Sequence, residues 1–434
     1  MFRRPRWIEA FVVSLAFFAI SPMLLEGQTG NAQGKAGSVQ PLTMEDAIRL
    51  ALERNQSLQA LRLNIDQARA NEVTAALKPN PVFTNFNEDF QIFAPGNLTL
   101  ENIRTNQEFA NSLTYTIERG GKRLKRIQVA QDTTDVTEKS VAEAERQLRF
   151  QVAQAFIGIL LAKSNLQLAK DDLLNFEKVV DINKSRLTAG DISEADYLKI
   201  SLQKLQFEQD VSAAEVSLVL GKAALRQFVG FTSVPEDFDV AGELTHNRHN
   251  VTQAEMERLA FQSRPDYLVA QSSIKLATDS VALALGNRAR DLTLEGEYKR
   301  NGTINGVGFG ISIELPVHDR NQGEIARTRV AARQAAVAAE AVQMGILTDI
   351  RGAYSSYRTS DQVTSLFESG YLKQAIDSRD ISGYAYQKGA ATLLDLLDAE
   401  RSYRATQFAY RQALAAHMTS VEQINFVVGK KVLQ

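Results

Sequence analysis

Residues able to do chemistry are few and scattered. The run Gly120-Gly121-Lys122-Arg123 is similar to a phosphate loop, where glycines let backbone amides approach a phosphate and a lysine meets its charge. It lacks the first glycine at the proper spacing and the Ser or Thr after the lysine. A mechanical role fits better: two glycines that let a strand turn into a helix. His246 and His249 share a short segment with Asn247 and Asn250. Two imidazoles can hold a metal, but the sequence favours a solvated linker there, and no metal or cofactor ligands are assigned. There is no cysteine, no Ser/His/Asp motif context and no metal-binding helix motif, so an enzyme is not expected.

The composition points away from other partners. The 434 residues carry 49 basic and 51 acidic side chains, which gives no reason to expect nucleic acid. The absence of cysteine excludes disulfides and a lipidated N-terminal Cys, and only nine prolines interrupt the chain. Arg3, Arg4 and Arg6 precede an apolar run from Phe11 to Ile20 and a small-residue region from Gly27 to Ala32, the pattern of an export signal over residues 1–32. No later stretch reads as a transmembrane helix.

The elements that would position any site are written twice. "LTMEDAIRLALERNQSLQAL" at Leu42 matches "VTQAEMERLAFQSRPDYLVA" at Val251, and "DINKSRLTAGDISEADYL" at Asp181 matches "DISGYAYQKGAATLLDLL" at Asp380. The first repeat covers residues 33–230 and the second 251–434, with a linker at 231–250. Each half reads helix, two strands, long helix, tight turn, helix. Thr43 with Asp46, Thr252 with Glu255, Ser193 with Asp196, and Thr392 with Asp395 have the spacing of helix-starting capping boxes. Gly190 and Gly389 stand where the preceding long helices must stop in a left-handed turn.

Four segments alternate. Phe109, Leu113, Tyr115 and Ile117 oppose Ala110, Ser112, Thr114 and Thr116; Leu292, Leu294 and Tyr298 oppose Thr293, Glu295 and Glu297; Phe309, Ile311, Ile313 and Leu315 oppose Gly310, Ser312 and Glu314. The segment after Pro81 alternates poorly, with Val82, Phe86 and Phe90 sharing a face with Thr84 and Glu88. Strands are expected at about 81–92, 108–119, 291–299 and 306–316. Two-faced segments of about ten residues fit transmembrane β-strands. Four cannot close a barrel, for which about eight are needed, so several copies would have to combine. Between Arg123 and Leu187 the only Gly or Pro is Gly158, enough for a helix on the order of 100 Å long. Val141, Leu148, Ala155, Ala162, Ala169 and Phe176 recur every seven residues, as do Val152, Ile159, Leu166, Leu173, Val180 and Leu187, a coiled-coil pattern. A second helix of similar length runs from Glu324 to Gln387.

With "ALERNQSLQA", "LKPNP", "IERGGKR", "RPDYLVA", "LPVHDRNQGEI" and the paired Gly190/Gly389 tips, the chain resembles the TolC-like outer-membrane efflux family over nearly all of its mature length. "GGKR" followed by "DRNQG" is most similar to the cobalt–zinc–cadmium branch, which serves resistance–nodulation–division pumps. Arg119 and His318 depart from that pattern, at the strand-to-helix junctions. The resemblance implies a mainly α protein with a β-barrel part: a homotrimer whose 12-stranded outer-membrane barrel continues into a long periplasmic α-helical barrel. Most of the mass would then lie in the periplasm. It implies an exit duct that receives substrate, with heavy-metal cations as one class, from an inner-membrane pump and a periplasmic adaptor protein. It further implies adaptor docking at the tips, with Gly190, Gly389, Arg186, Asp191, Lys388 and Thr392 as contact candidates. Aspartates three apart ring the entrance in that family, and Asp377 and Asp380 match their position. The loops 93–108 and 299–305 would face outward. A periplasmic adaptor or coiled-coil scaffold without a pore is the alternative.

Overall fold

The computed structural model describes residues 41–88, 99–101, 105 and 107–433. The expected export signal, the end of the first strand at 89–92 and most of the loop 93–108 lie outside these residues. The elements run α1 (Met44–Arg54), α2 (Gln56–Ala76), β1 (Val82–Glu88), β2 (Glu108–Ile117), α3 (Lys122–Ala189), α4 (Glu194–Val229), α5 (Gln253–Ser263), α6 (Pro265–Gly286), β3 (Leu292–Asn301), β4 (Ile304–Ile313), α7 (Gln322–Leu366), a π-helical segment (Phe367–Tyr371), α8 (Leu372–Gln387) and α9 (Leu393–Val428). The order of elements from α1 to α4 thus recurs from α5 to α9, except that the second long helix is broken by the π segment. Gly370 there has φ +145°, which only glycine adopts without strain. The sequence pattern predicts one continuous helix here, and the break at Gly370 corrects it.

All four anticipated starts are capped. The hydroxyls of Thr43, Ser193, Thr252 and Thr392 accept the amide N–H three residues on, at 3.1, 3.1, 3.4 and 3.2 Å. The box is reciprocal at Thr392, whose own N–H donates to Asp395 at 2.9 Å. These bonds satisfy amides that a helix start leaves without partners.

The four strands form one antiparallel sheet in the order β1-β2-β3-β4. Register gathers the apolar residues on one face. Leu113, Tyr115 and Ile117 stand beside Gly296, Leu294 and Leu292, which stand beside Phe309, Ile311 and Ile313. Phe309 is 91% exposed in the single chain. The other face carries Ser112 and Thr114 beside Glu297 and Glu295, which lie over Gly308 and Gly310. The register also explains the poor alternation of β1. Phe83 joins the apolar face beside Leu113, whereas Val82 and Phe86 fall on the polar face beside Thr114 and Ala110. β3 ends two residues later and β4 begins two residues earlier than expected, so their connection is the two-residue turn 302–303, with Gly302 at φ +58°.

The long helices carry the core. Val141, Leu148, Val152, Phe156, Ile159 and Leu160 of α3 pack with Ala47 and Ala51 of α1 and Leu225 and Val229 of α4. Phe156 and Leu160 lie off the seven-residue pattern and are buried, as a helix with neighbours on two sides requires; Leu174 remains exposed. One stretch of α3 is apolar enough to cross a membrane, contrary to the sequence reading, but half of it is buried inside this chain.

At the strand-to-helix junctions the two halves solve one problem with different residues. Gly121 caps α3 at φ +66°, ψ +24°, and Asn321 caps α7 at φ +59°, ψ +24°. Asn321 tolerates the left-handed region and donates from its side-chain amide to the Ala284 carbonyl at 2.7 Å. Arg123 and Arg126 do not face a phosphate; they donate to the Ala76 and Ala75 carbonyls at 2.6 and 3.0 Å, closing the end of α2. Gly120 is constrained more tightly, because a β-carbon there would lie 2.5 Å from the Gly286 carbonyl oxygen. Gly121→Asn is therefore expected to leave the thermal midpoint nearly unchanged. Gly120→Ala should lose more than the roughly 1–2 kcal/mol of a left-handed alanine alone. Thermal unfolding followed by helical circular dichroism checks the ordering; equal effects of the two substitutions would contradict it.

Candidate functional site

The hairpin tips have a defined backbone geometry. Gly190 and Gly389 have φ +82° and +75°. At each tip the next residue closes the helix: Asp191 N–H donates to the Arg186 carbonyl and Ala390 N–H to the Ala385 carbonyl, both at 2.8 Å. No atom lies within 4 Å of a β-carbon built on either glycine, so backbone conformation alone demands glycine. Around the tips, Arg186 lies over the Tyr386 ring at 5.4 Å, and the Tyr386 hydroxyl donates to Asn183 at 2.6 Å. Lys388 lies over Tyr384 at 5.5 Å, and Asp191 is exposed. Thr392 spends its hydroxyl and N–H on the α9 cap.

Asp377 and Asp380 both lie exposed on α8, one helical turn apart. Asp380 is not a free charge. Arg379 donates to its Oδ1 at 3.0 and 2.7 Å and itself stacks over Tyr403 at 4.1 Å. The guanidinium of Arg379 is therefore held in place between a ring and a carboxylate.

Above this face lies a buried charge cluster that sequence reasoning missed. Asp172 of α3 is buried beside Arg404 of α9, with Arg404 Nε 3.5 Å from its Oδ2. Arg404 also pairs with Asp210 of α4 and lies 4.4 Å from the centre of the Phe207 ring. A cavity of about 430 Å³ opens there, lined by Asn165, Asp172, Asp210, Ser217, Arg401 and Arg404 among others. Burial pushes the Asp172 carboxyl up to about 6, against the pull of Arg404, Arg379 and Arg411. Burial likewise raises the Glu400 carboxyl. Asp172, Asp210 and Arg404 are far apart in sequence, and only the packing of three helices brings them together.

The segment holding His246 and His249 is exposed at Asn247, Arg248 and Asn250, as expected of a solvated linker, but its two histidines are partly buried. The His246 side chain is 5% exposed, and its ring nitrogens face Glu368 and Asp361 at 2.9 and 2.8 Å. His249 is tied through its backbone to the Tyr357 hydroxyl at 2.7 Å.

Comparison with known proteins decides what this architecture serves. A model of the outer membrane efflux protein family matches residues 47–231 and 257–430, most of the chain. This protein belongs to the outer membrane efflux protein family. The cobalt-zinc-cadmium resistance protein CzcC of Cupriavidus metallidurans is 25% identical over 399 residues, covering 90% of each chain. The fold matches a crystal structure of CusC with a TM-score of 0.74, at 18% identity over 89% of this chain and 92% of that one. It matches the open state of the Neisseria gonorrhoeae MtrE outer membrane channel with a TM-score of 0.73, at 18% identity over 90% and 89%. The family consists of transport channels rather than enzymes, and its members work with periplasmic adaptors and inner-membrane pumps. This efflux protein is an outer-membrane exit duct with a large periplasmic helical part. The reading as a pore-free adaptor or scaffold is set aside.

The buried Asp172 gives the efflux protein a measurable pH response. A carboxyl that titrates higher in the folded state than in the unfolded one holds its proton more tightly when folded. Its contribution to stability is fully present below about pH 4 and is lost as pH rises through about 6. Asp172→Asn should flatten that part of the stability profile measured by thermal unfolding between pH 4 and 7. An unchanged slope would mean that the carboxyl is not held as described.

Proposed function

We propose that three copies of this chain assemble into the duct, each contributing its four strands to a twelve-stranded barrel and its long helices to a continuous periplasmic wall. The two halves of each chain, on this reading, are an internal duplication. The observation that carries the proposal is the sheet itself, which has one apolar, exposed face and two unpaired edges, β1 and β4. The helices support it. Val330, Val337 and Met344 are exposed at seven-residue spacing on α7, and Val216, Val219 and Leu220 are exposed on α4. Such stripes suit helix–helix contacts between copies.

The tips at Gly190 and Gly389, with Arg186, Asp191, Lys388 and Thr392, are the proposed contacts for a periplasmic adaptor. The pump behind the adaptor would be of the resistance–nodulation–division type. Divalent heavy-metal cations are the proposed substrates, supported by the relative CzcC, whose name specifies cobalt, zinc and cadmium resistance.

Asp377 and Asp380 are proposed to line the periplasmic entrance. Three copies would bring their carboxylates around one axis, and such a ring attracts cations. Arg379 opposes this by neutralising part of each Asp380 charge, which leaves Asp377 as the larger contributor. The purified protein should form channels in planar bilayers. Asp377→Ala/Asp380→Ala should keep assembly while lowering cation preference and weakening block by multivalent cations by about threefold or more. Parent-like conductance, selectivity and block in the double variant would remove these residues from the entrance. A parent protein that forms no channels would overturn the duct.

A further inference from the structure

Three of the four histidines of this chain lie in one region, and two of them meet a carboxylate at a place the efflux function does not use. One ligand atom from each of His246, Asp361 and His417 falls within 4.8 Å of the others. The three come from distant parts of the chain: His246 from the linker between the two halves, Asp361 from α7 and His417 from the middle of α9. The His246 and His417 rings meet edge to face, with centroids 4.6 Å apart.

The hydrogen bonds fix which nitrogens are available. His417 is 1% exposed, and its Nε2 lies 3.0 Å from the Asn247 carbonyl oxygen. A carbonyl only accepts, so Nε2 carries the proton. Nδ1 of a neutral imidazole then presents a lone pair, and that atom is buried with no hydrogen-bond partner. His246 has a carboxylate against each nitrogen: Glu368 at Nδ1, 2.9 Å, and Asp361 at Nε2, 2.8 Å. Carboxylates also only accept. His246 Nε2 and Asp361 thus place a nitrogen and a carboxylate oxygen side by side, two donors for one cation.

We propose that His246 Nε2, Asp361 and His417 Nδ1 bind a divalent transition-metal ion such as Zn²⁺ or Co²⁺, with water completing the coordination. Two imidazoles and a carboxylate are a donor set suited to these ions. Both histidines already have the outer partners that metal-binding histidines use, a carboxylate at His246 Nδ1 and a backbone carbonyl at His417 Nε2. Glu368 is in turn held by the Tyr410 hydroxyl at 3.2 Å and is placed by the π-helical segment, a local irregularity common at functional sites. Metal–ligand bonds of about 2.0–2.2 Å set tetrahedral ligand atoms about 3.4 Å apart, so His246 Nε2 and Asp361, now 2.8 Å apart, would open by about 0.6 Å to admit the ion while His417 closes on it. Arg248 Nε, 3.7 Å from Asp361, is the competing cation and would swing to solvent, where its side chain is already 68% exposed. Bound metal would fasten the linker to α7 and α9 at the one point where the second long helix is irregular. The site is separate from the entrance aspartates and does not depend on which substrate is exported.

The test uses tag-free, detergent-solubilised full-length protein and the metal alone. Isothermal titration with Zn²⁺ should give one site per chain with a dissociation constant below about 1 μM. Co²⁺ should produce the visible absorption of a four-coordinate N/O site. His246→Gln/His417→Gln should weaken Zn²⁺ binding at least 100-fold, Glu368→Gln about 10–100-fold as an outer partner, and His318→Gln not at all. X-ray absorption on the zinc-loaded parent should show two imidazoles and only N/O donors, a readout that needs no variant to fold. No binding by the parent would overturn the proposal. So would binding retained in a folded double variant, binding lost in His318→Gln, or a metal shell without imidazole.

Discussion

The constraint on which this structure depends is the unpaired edge of its sheet. Among the described residues, β1 and β4 each pair on one side alone, while the face beside them is lined with Phe309, Ile311, Ile313, Leu294 and Leu113. Hydrocarbon is where that face is stable, and hydrocarbon offers nothing to the edges. Each unsatisfied backbone group there costs several kcal/mol. Water would satisfy the edges and penalise the face. The proposed closure with further copies would remove both costs.

The proposed closure would constrain where the helices begin. Each strand pair hands over to a long helix within a few residues, so the chain must reverse its backbone sense abruptly at 118–122 and 314–322. Gly120, Gly121 and Asn321 take left-handed conformations to do so. Lys122 and the Arg119 amide both bind Asp291, at 2.8 and 3.0 Å, tying the first junction to the start of β3. The first junction is thereby tied to the second half of the chain. The long helices are held at their far ends by capped, glycine-terminated turns. The same sequence device, a hydroxyl and an acid three residues apart, is used at the start of each half and after each tip.

What could be read in the sequence was whatever depends on local spacing. Alternation in β2, β3 and β4 placed the apolar face, and the four hydroxyl–acid pairs placed the helix starts. β1 was obscure because its register, set by pairing with β2, puts Phe83 on the apolar face and Val82 and Phe86 on the other. The π segment gave no periodic signal; only Gly370 in Phe367-Glu368-Ser369-Gly370 hints at a break. The buried clusters were hidden for another reason. Asp172 meets Arg404, and His246 meets His417, across separations of 232 and 171 residues, so neither forms a motif. The pair His246 and His249, two of only four histidines, was the available clue for the second cluster, but His417 sits in an ordinary helical pattern.

The central claim is that β1 of one chain pairs with β4 of the next. Since the protein has no native cysteine, single cysteines can be placed at Thr84 on β1 and at Gly308, Gly310 or Ser312 on β4, and oxidised in isolated outer membranes. The account predicts that at least one β1/β4 combination gives a disulfide-linked ladder ending at three chains on non-reducing gels, while each single cysteine alone gives no such ladder. Monomers in every combination, with the protein in the outer membrane and the cysteines reactive, would contradict it.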